Sequence, residues 1–153
     1  MSEFTVPQHL PEWIQEHTQR YLESGGEDGH LWDSRPQGGP GLVPTLLLVT
    51  TGRLSGKPIT LPLIYGENNG AYVIVASRGG SRNNPGWFLN LIEHPEVWVQ
   101  VASKRCRATA RVTKGEERAV LWKQMVEIFP PYETYQRRTE REIPVVVLEP
   151  ADR

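Results

Sequence analysis

Thr45-Leu46-Leu47-Leu48-Val49-Thr50-Thr51-Gly52-Arg53-Leu54-Ser55-Gly56-Lys57-Pro58-Ile59-Thr60-Leu61-Pro62-Leu63-Ile64-Tyr65 is the stretch on which the architecture turns. Two runs rich in Leu, Val, Ile and Thr flank a polar turn. They read as hairpin strands, at about 43–51 and 59–66, with Arg53, Ser55 and Lys57 at the tip. Gly52 to Lys57 has the look of a phosphate-binding P-loop. That loop needs four residues between its glycines, Ser or Thr after the lysine, and a helix next. Here three residues separate Gly52 from Gly56, Pro58 follows Lys57, and another strand comes after, so the P-loop is excluded.

Outward from the hairpin, Glu67-Asn68-Asn69-Gly70 makes a tight turn, because Asn-Gly tolerates the positive φ angles that hairpins need. A strand at about 71–77 leads into Ser77-Arg78-Gly79-Gly80-Ser81-Arg82-Asn83-Asn84-Pro85-Gly86-Trp87-Phe88-Leu89-Asn90. This segment gathers free backbone donors, cations and a flat aromatic at the start of a short helix, about 85–93. Asn84 is expected as its cap and Pro85 as its first residue. Such an arrangement suits an anion. On residue type alone, Trp87 reads as core packing.

Strands at 97–101 and about 105–112 form a further hairpin around Ala102-Ser103-Lys104. Thr113 and Glu116 resemble a capping box opening a helix to about Ile128, with Val120, Leu121, Met125 and Ile128 on its buried side. Phe129-Pro130-Pro131 stops it. Tyr132 and Tyr135 follow on a short helical segment, three residues apart and so pointing the same way. The last strand is 143–148. Upstream, Leu10, Trp13, Ile14, His17, Tyr21 and Leu22 mark an amphipathic helix over about 8–24. A Gly/Pro-rich connection, 25–41, links it to the hairpin. Strands arriving as hairpins with helices between them indicate an α+β domain built on an antiparallel barrel, not a doubly wound sheet. We divide the chain into 1–42, helix and loop, and 43–150, barrel, within a single domain.

The 153 residues suffice for a core without metal or disulfide staples. A net charge of −1 and a pI near 6.4 give no basic field for nucleic acid or acidic membranes. No apolar run is long enough for a transmembrane helix. The first residues lack the basic and apolar regions of a signal peptide, and the lone Cys106 fits a reducing compartment, so the expected location is the cytoplasm. Cys106 itself reads as a thiol on a strand. His9, His17, His30 and His94 have no metal-ligand spacing, and no Gly-x-Ser-x-Gly elbow occurs. With hydrolytic machinery missing, anion-holding turns beside aromatics suit a planar, phosphate-bearing cofactor that brings its own reactivity.

Thr50-Thr51-Gly52-Arg53-x-Ser55-Gly56, Pro62-Leu63, Ala76-Ser77-Arg78-Gly79-Gly80, Asn84-Pro85-x-Trp87-x-x-Asn90-Leu91, Phe129-Pro130-x-Tyr132-x-x-Tyr135 and Arg141-x-Ile143-Pro144 together resemble the deazaflavin-dependent nitroreductase family. The resemblance implies a split β-barrel like those of flavin-binding oxidases. It also implies coenzyme F-420 and hydride transfer to a small electron-poor acceptor: a quinone, an enone or a nitro compound. By position, Arg53 and Ser55 would hold the phosphate-bearing tail together with Arg78, which stands where the family has lysine, and Gly56, Lys57 and Gly79 of the same turns would also contact the cofactor. Pro62, Leu63, Ala76 and Ser77 would line the ring, with Ser77 near the hydride-bearing carbon. Gly86, Trp87, Phe88, Leu89 and Asn90 would cover its other edge, with Asn84 and Pro85 counted among the cofactor-binding residues. Tyr132 and Tyr135 would close over the acceptor, one of them donating a proton. Leu54 and Ile59 replace cations common in the family, and Ile64 replaces a tyrosine. These departures keep FMN or FAD as an alternative cofactor, and a non-catalytic flavin or deazaflavin carrier as the contrasting class. A homodimer is suggested weakly, through Trp98 on what reads as an edge strand.

Overall fold

The structure, a computed structural model, describes residues 4–151. Its centre is β2 (Leu42–Thr51), buried almost throughout from Val43 to Thr50, as its near-continuous apolar sequence requires. On one side lies β3 (Pro58–Ile64), in register from Thr51↔Pro58 to Thr45↔Ile64. The sheet also runs from β2 to β6 (Glu96–Val101), β7 (Lys104–Val112), β8 (Val145–Pro150), β5 (Ala71–Val75) and β4 (Gly66–Asn68). Every pairing is antiparallel. The short β1 (Leu31–Asp33) joins the start of β2.

The two ends of this sheet are neighbours in the chain. β3 ends at Ile64 and β4 begins at Gly66, so only Tyr65 separates them. Yet β3 pairs with β2 and β4 with β5, at opposite ends of the order. The sheet must therefore curl until its edges meet. They meet without a ladder between β3 and β5 among the described residues, which makes the barrel split. Pro58 and Pro62 fit this, since proline lacks the N–H that a strand with two partners must give.

Alternate residues separate two cores. Leu46, Leu48, Ile74, Val99, Ala108 and Val146 fill the barrel together with Trp87, Phe88 and Leu91 of α2 (Gly86–Glu93). Val73, Val75, Val145 and Val147 face outward under α3 (Gly115–Ile128) and α4 (Pro131–Arg137), against Leu121, Met125, Phe129 and Tyr132. At the other end, α1 (Glu12–Glu23) lies against β3.

Several local expectations are corrected. α1 starts at Glu12, with Pro11 extended at its N-cap, so residues 8–11 are not helical. The 25–41 connection contains β1 and a 3-10 turn at Arg35–Gln37. Pro85, extended at ψ 153°, is the N-cap of α2, because the Asn84 side chain is taken by Arg141 at 2.8 Å. No capping box forms at α3. Lys114 is its N-cap, and the Thr113 hydroxyl donates to the Val145 carbonyl at 2.8 Å. Val120 faces solvent. The strand expected over 59–66 is broken at Tyr65. Trp98 is on no edge: β6 sits between β2 and β7, and Phe4 and Arg107 contact the indole. The Asn69-Gly70 turn has φ of 52° and 81°, both in the left-handed region, as a two-residue hairpin demands.

One hydroxyl bolts α1 to the barrel. Tyr21 Oη accepts from Ala102 N–H at 2.8 Å and faces the Thr45 and Gln100 carbonyls at 3.0 and 3.2 Å. Burial pushes its pKa up to about 12, so it remains a donor at ordinary pH. Tyr21→Phe leaves the part-buried Ala102 N–H and a buried carbonyl without that partner. A loss of about 1–3 kcal/mol is expected, read as a lower urea midpoint at unchanged m-value.

Candidate active site

A cleft of about 310 Å³ opens where the barrel is split. One wall is β3, through Pro62, Leu63 and Ile64; the facing wall is Val75 at the end of β5, followed by Ser77, Arg78 and Gly79. Pro85 and Trp87 lie at the start of α2, Phe129, Tyr132 and Tyr135 on the α3–α4 corner, and Trp13, Ile14, His17 and Trp32 on the N-terminal side.

The turn after β5 is left-handed throughout: Arg78 has φ 46°, Gly79 62° and Gly80 83°. Gly80 is pressed against α4, where an added Cβ would stand 2.6 Å from the Tyr135 carbonyl. Gly79 faces open space instead. A non-glycine residue such as Arg78 in this region costs on the order of 1–2 kcal/mol. Arg141 supports the turn through the carbonyls of Ser81, Ser77 and Ala76. Burial and the neighbouring Arg78 charge lower the Arg141 pKa from its ordinary value. Neither arginine has a carboxylate partner among the described residues, so this side of the cleft carries uncompensated positive charge.

The residues predicted from the sequence divide into groups. Pro62, Leu63, Ser77, Arg78, Gly79, Pro85, Trp87, Tyr132 and Tyr135 share the cleft wall. Trp87 also belongs to the barrel core, so packing and lining are both true of it. Arg53 stands apart at the hairpin tip, where its Nη1 donates to Asn90 Oδ1 at 2.8 Å and to the Gly86 carbonyl at 3.3 Å. Asn90, buried, also takes the Arg53 backbone N–H at 3.1 Å and donates to Thr50, fastening the tip to α2. Ser55, Gly56 and Lys57 are exposed on that tip, Gly56 at φ 71°. Ala76 and Phe88 are buried in the barrel core and Leu89 is partly exposed; none of the three lines the cleft. Leu54, at 92 % exposure, projects into solvent, whereas Ile64 is part of the cleft wall.

Tyr132 is 4 % exposed, packed edge-on against Phe129 with ring centres 5.0 Å apart, yet its hydroxyl has no hydrogen-bond partner among the described residues. Buried hydroxyls are rarely left so. Burial drives the Tyr132 pKa up, which keeps the phenol protonated. Tyr135 is half-buried beside it, and Arg138 lies over its ring.

The sequence assigned no role to the N-terminal wall. Trp13 and Trp32 stack at 6.0 Å with their planes 17° apart, although Trp13 is 50 % exposed. The helical spacing of Trp13, Ile14, His17 and Tyr21 was legible. Which surface that face covers depends on the tertiary packing of α1 on β3.

Comparison with known proteins gives a consistent picture. The family model for F420H(2)-dependent quinone reductase matches residues 13–150. An F420H(2)-dependent quinone reductase of Mycobacterium tuberculosis strain H37Rv is 40% identical over 135 residues, 86% of each chain. Among solved structures, the F420-H2 dependent reductase FDR-A is 45% identical with a TM-score of 0.65, covering 69% of this chain and 93% of its own. A second, described as a domain-swapped dimer, is 44% identical with a TM-score of 0.68, covering 90% and 98%.

His17, 3 % exposed, bonds through Nε2 to the Gly29 carbonyl at 2.8 Å. Desolvation lowers its pKa below the ordinary 6.5. The unfolded chain therefore binds a proton more readily than the folded one below pH 6.5, and stability falls as pH drops through that value. Melting temperature measured from pH 7.5 to about 5.5 should decline. His17→Asn should flatten the decline; an identical slope in the variant would assign it to other groups.

Proposed function

Because the chain belongs to the F420H(2)-dependent quinone reductase family, we propose that the seam cleft is where this oxidoreductase brings coenzyme F-420 and a small electron-poor acceptor together. The observation that carries the reading is the buried Tyr132 hydroxyl, unpartnered among the described residues, on the wall of a cleft that also holds the cationic Arg78 on the turn packed against α4. An acceptor oxygen would satisfy it.

The residues suit a flat, anionic cofactor. Pro62, Leu63 and Trp87 offer apolar surface for a planar ring, and Gly79 leaves open space where a side chain would intrude. Arg78 and, at the rim of the hairpin, Lys57 and Arg53 are the cations available to phosphate and carboxylate groups. Arg53 reaches that role already oriented by Asn90. When bound, the reduced deazaflavin supplies a hydride. The chain's own residues bind, orient and protonate. The Ser77 hydroxyl, on the cleft wall and without a protein partner among the described residues, can donate to a polar ring edge. Tyr132, kept neutral by burial, can donate a hydrogen bond to the acceptor oxygen and a proton to the charge that develops there. Tyr135 supplies a second aromatic edge. Since this donor needs only an acceptor oxygen, enones and nitro compounds join quinones as acceptors in the proposal.

Assembly is part of the same reading. One solved relative is described as a domain-swapped dimer, and we extend a homodimer to this chain; sedimentation at two concentrations measures it.

Fluorescence titration of the pure protein with coenzyme F-420, FMN and FAD should show preference for the deazaflavin. Adding a quinone should then oxidise the reduced coenzyme. Binding without oxidation would mark a carrier, and equal affinity for all three would overturn the cofactor assignment. Arg78→Ala should weaken coenzyme binding about tenfold, about 1.4 kcal/mol, with little change in the apo-protein melting temperature. Tyr132→Phe should lower kcat with a quinone and with a nitroaromatic while coenzyme affinity stays near wild type. Unchanged kcat would leave Tyr132 as packing.

A further inference from the structure

Arg141, between α4 and β8, is not on the cleft wall. It stands behind the turn that is. Nε donates to the Ser81 carbonyl at 2.8 Å and Nη2 to the Ser77 carbonyl at 2.8 Å. Nη1 reaches the Ala76 carbonyl at 3.3 Å and Asn84 Oδ1 at 2.8 Å. A trans peptide is planar, with its C=O and N–H pointing in opposite directions, and no cis bond occurs here. Drawing the carbonyls of Ala76, Ser77 and Ser81 to one side therefore turns the N–H groups of Ser77, Arg78 and Arg82 to the other. Ser77 and Arg78 line the cleft, and neither amide has a partner among the described residues.

We propose that Arg141 is the positioning residue of the cofactor turn: by holding these carbonyls from behind, it aims the Ser77 and Arg78 amides into the cleft as a donor pair for an oxygen or nitrogen acceptor of the deazaflavin. The proposal rests on the deazaflavin reading above. It also accounts for the left-handed backbone of Arg78, which the guanidinium brackets from the carbonyls on either side. The same residue ties the acceptor side to the cofactor side. Gln136 of α4 donates to the Arg141 carbonyl at 2.7 Å and accepts from Ile143 N–H at 2.9 Å. Tyr132 and Tyr135 thus sit on a helix fixed to the residue that shapes the turn. Arginine is required, because three nitrogens on one rigid fork reach four acceptors, whereas a lysine presents its donors from a single atom.

The test uses Arg141→Ala and Arg141→Lys in the full chain, with two readouts. Coenzyme F-420 affinity should fall at least tenfold in both variants, and added guanidinium should restore part of it in Arg141→Ala alone. In ligand-free protein, backbone amide NMR shifts of Ser77 to Arg82 should move while those of β6 and β7 stay. Unchanged affinity in Arg141→Ala overturns the proposal. So do shifts spread through the whole barrel without guanidinium rescue, the mark of a structural role only. Should the wild type fail to bind coenzyme F-420, the proposed function fails, and the ligand-free amide shifts still decide the role of Arg141. Movement confined to Ser77–Arg82 supports it and unmoved shifts overturn it.

Discussion

Tyr65 joins the two ends of the sheet with a single residue, and that covalent constraint governs what the rest of the chain can do. Neither β3 nor β4 can lie flat at its own end of the sheet while one residue links them; the strands between must bend into a barrel. Tyr65 is held in place as well as in sequence. Its N–H donates to the Pro44 carbonyl at 3.2 Å, and its hydroxyl meets His30 Nε2 at 2.8 Å. Burial pushes its pKa up to about 12, so it stays a neutral partner for that histidine. What the link cannot do is supply a ladder between β3 and β5. The unpaired seam becomes the cleft, and α1, α4 and the turn after β5 are arranged around it.

The electrostatics of the seam follow from what surrounds it. Hydroxyls and Arg78 face the cleft while the ion-paired carboxylates, such as Glu117 with Arg111, lie elsewhere on the exposed surface. A wall of this kind favours anions and neutral, polarisable rings over cations. In the F420H(2)-dependent quinone reductase family, to which the chain belongs, the hydride chemistry is the coenzyme's and the protein contributes binding and orientation.

Most of the barrel could be read from residue patterns because hairpins announce themselves locally. The Asn69-Gly70 turn, the 52–57 tip and the Ala102 turn each sit between strands of matching register. Helix ends were less legible. Asn84 and Thr113 are sound capping residues by type, but tertiary partners, Arg141 and the Val145 carbonyl, take their side chains first. Trp98 was misjudged for a related reason: strand order is a long-range property, and β6 is placed between β2 and β7 by chain segments about fifty residues upstream and a few downstream. At the site, the turn residues and both tyrosines were named from their motifs. The placing of Arg53 on Asn90, and the wall made by Trp13 and Trp32, were not, since contacts between distant segments leave no periodic signal.

Arg141 meets groups 57 to 65 residues earlier in the chain. Contacts of such separation close late in folding, because the loop entropy must be overcome before they form. The turn after β5 can be translated, and its strand partly collapsed, long before the guanidinium that shapes it exists. During synthesis this turn thus takes its final shape only once residue 141 has left the ribosome and β8 has docked between β5 and β7. On the proposed reading, coenzyme binding follows the docking of Arg141, because a chain that stops short of it has nothing to hold the turn after β5.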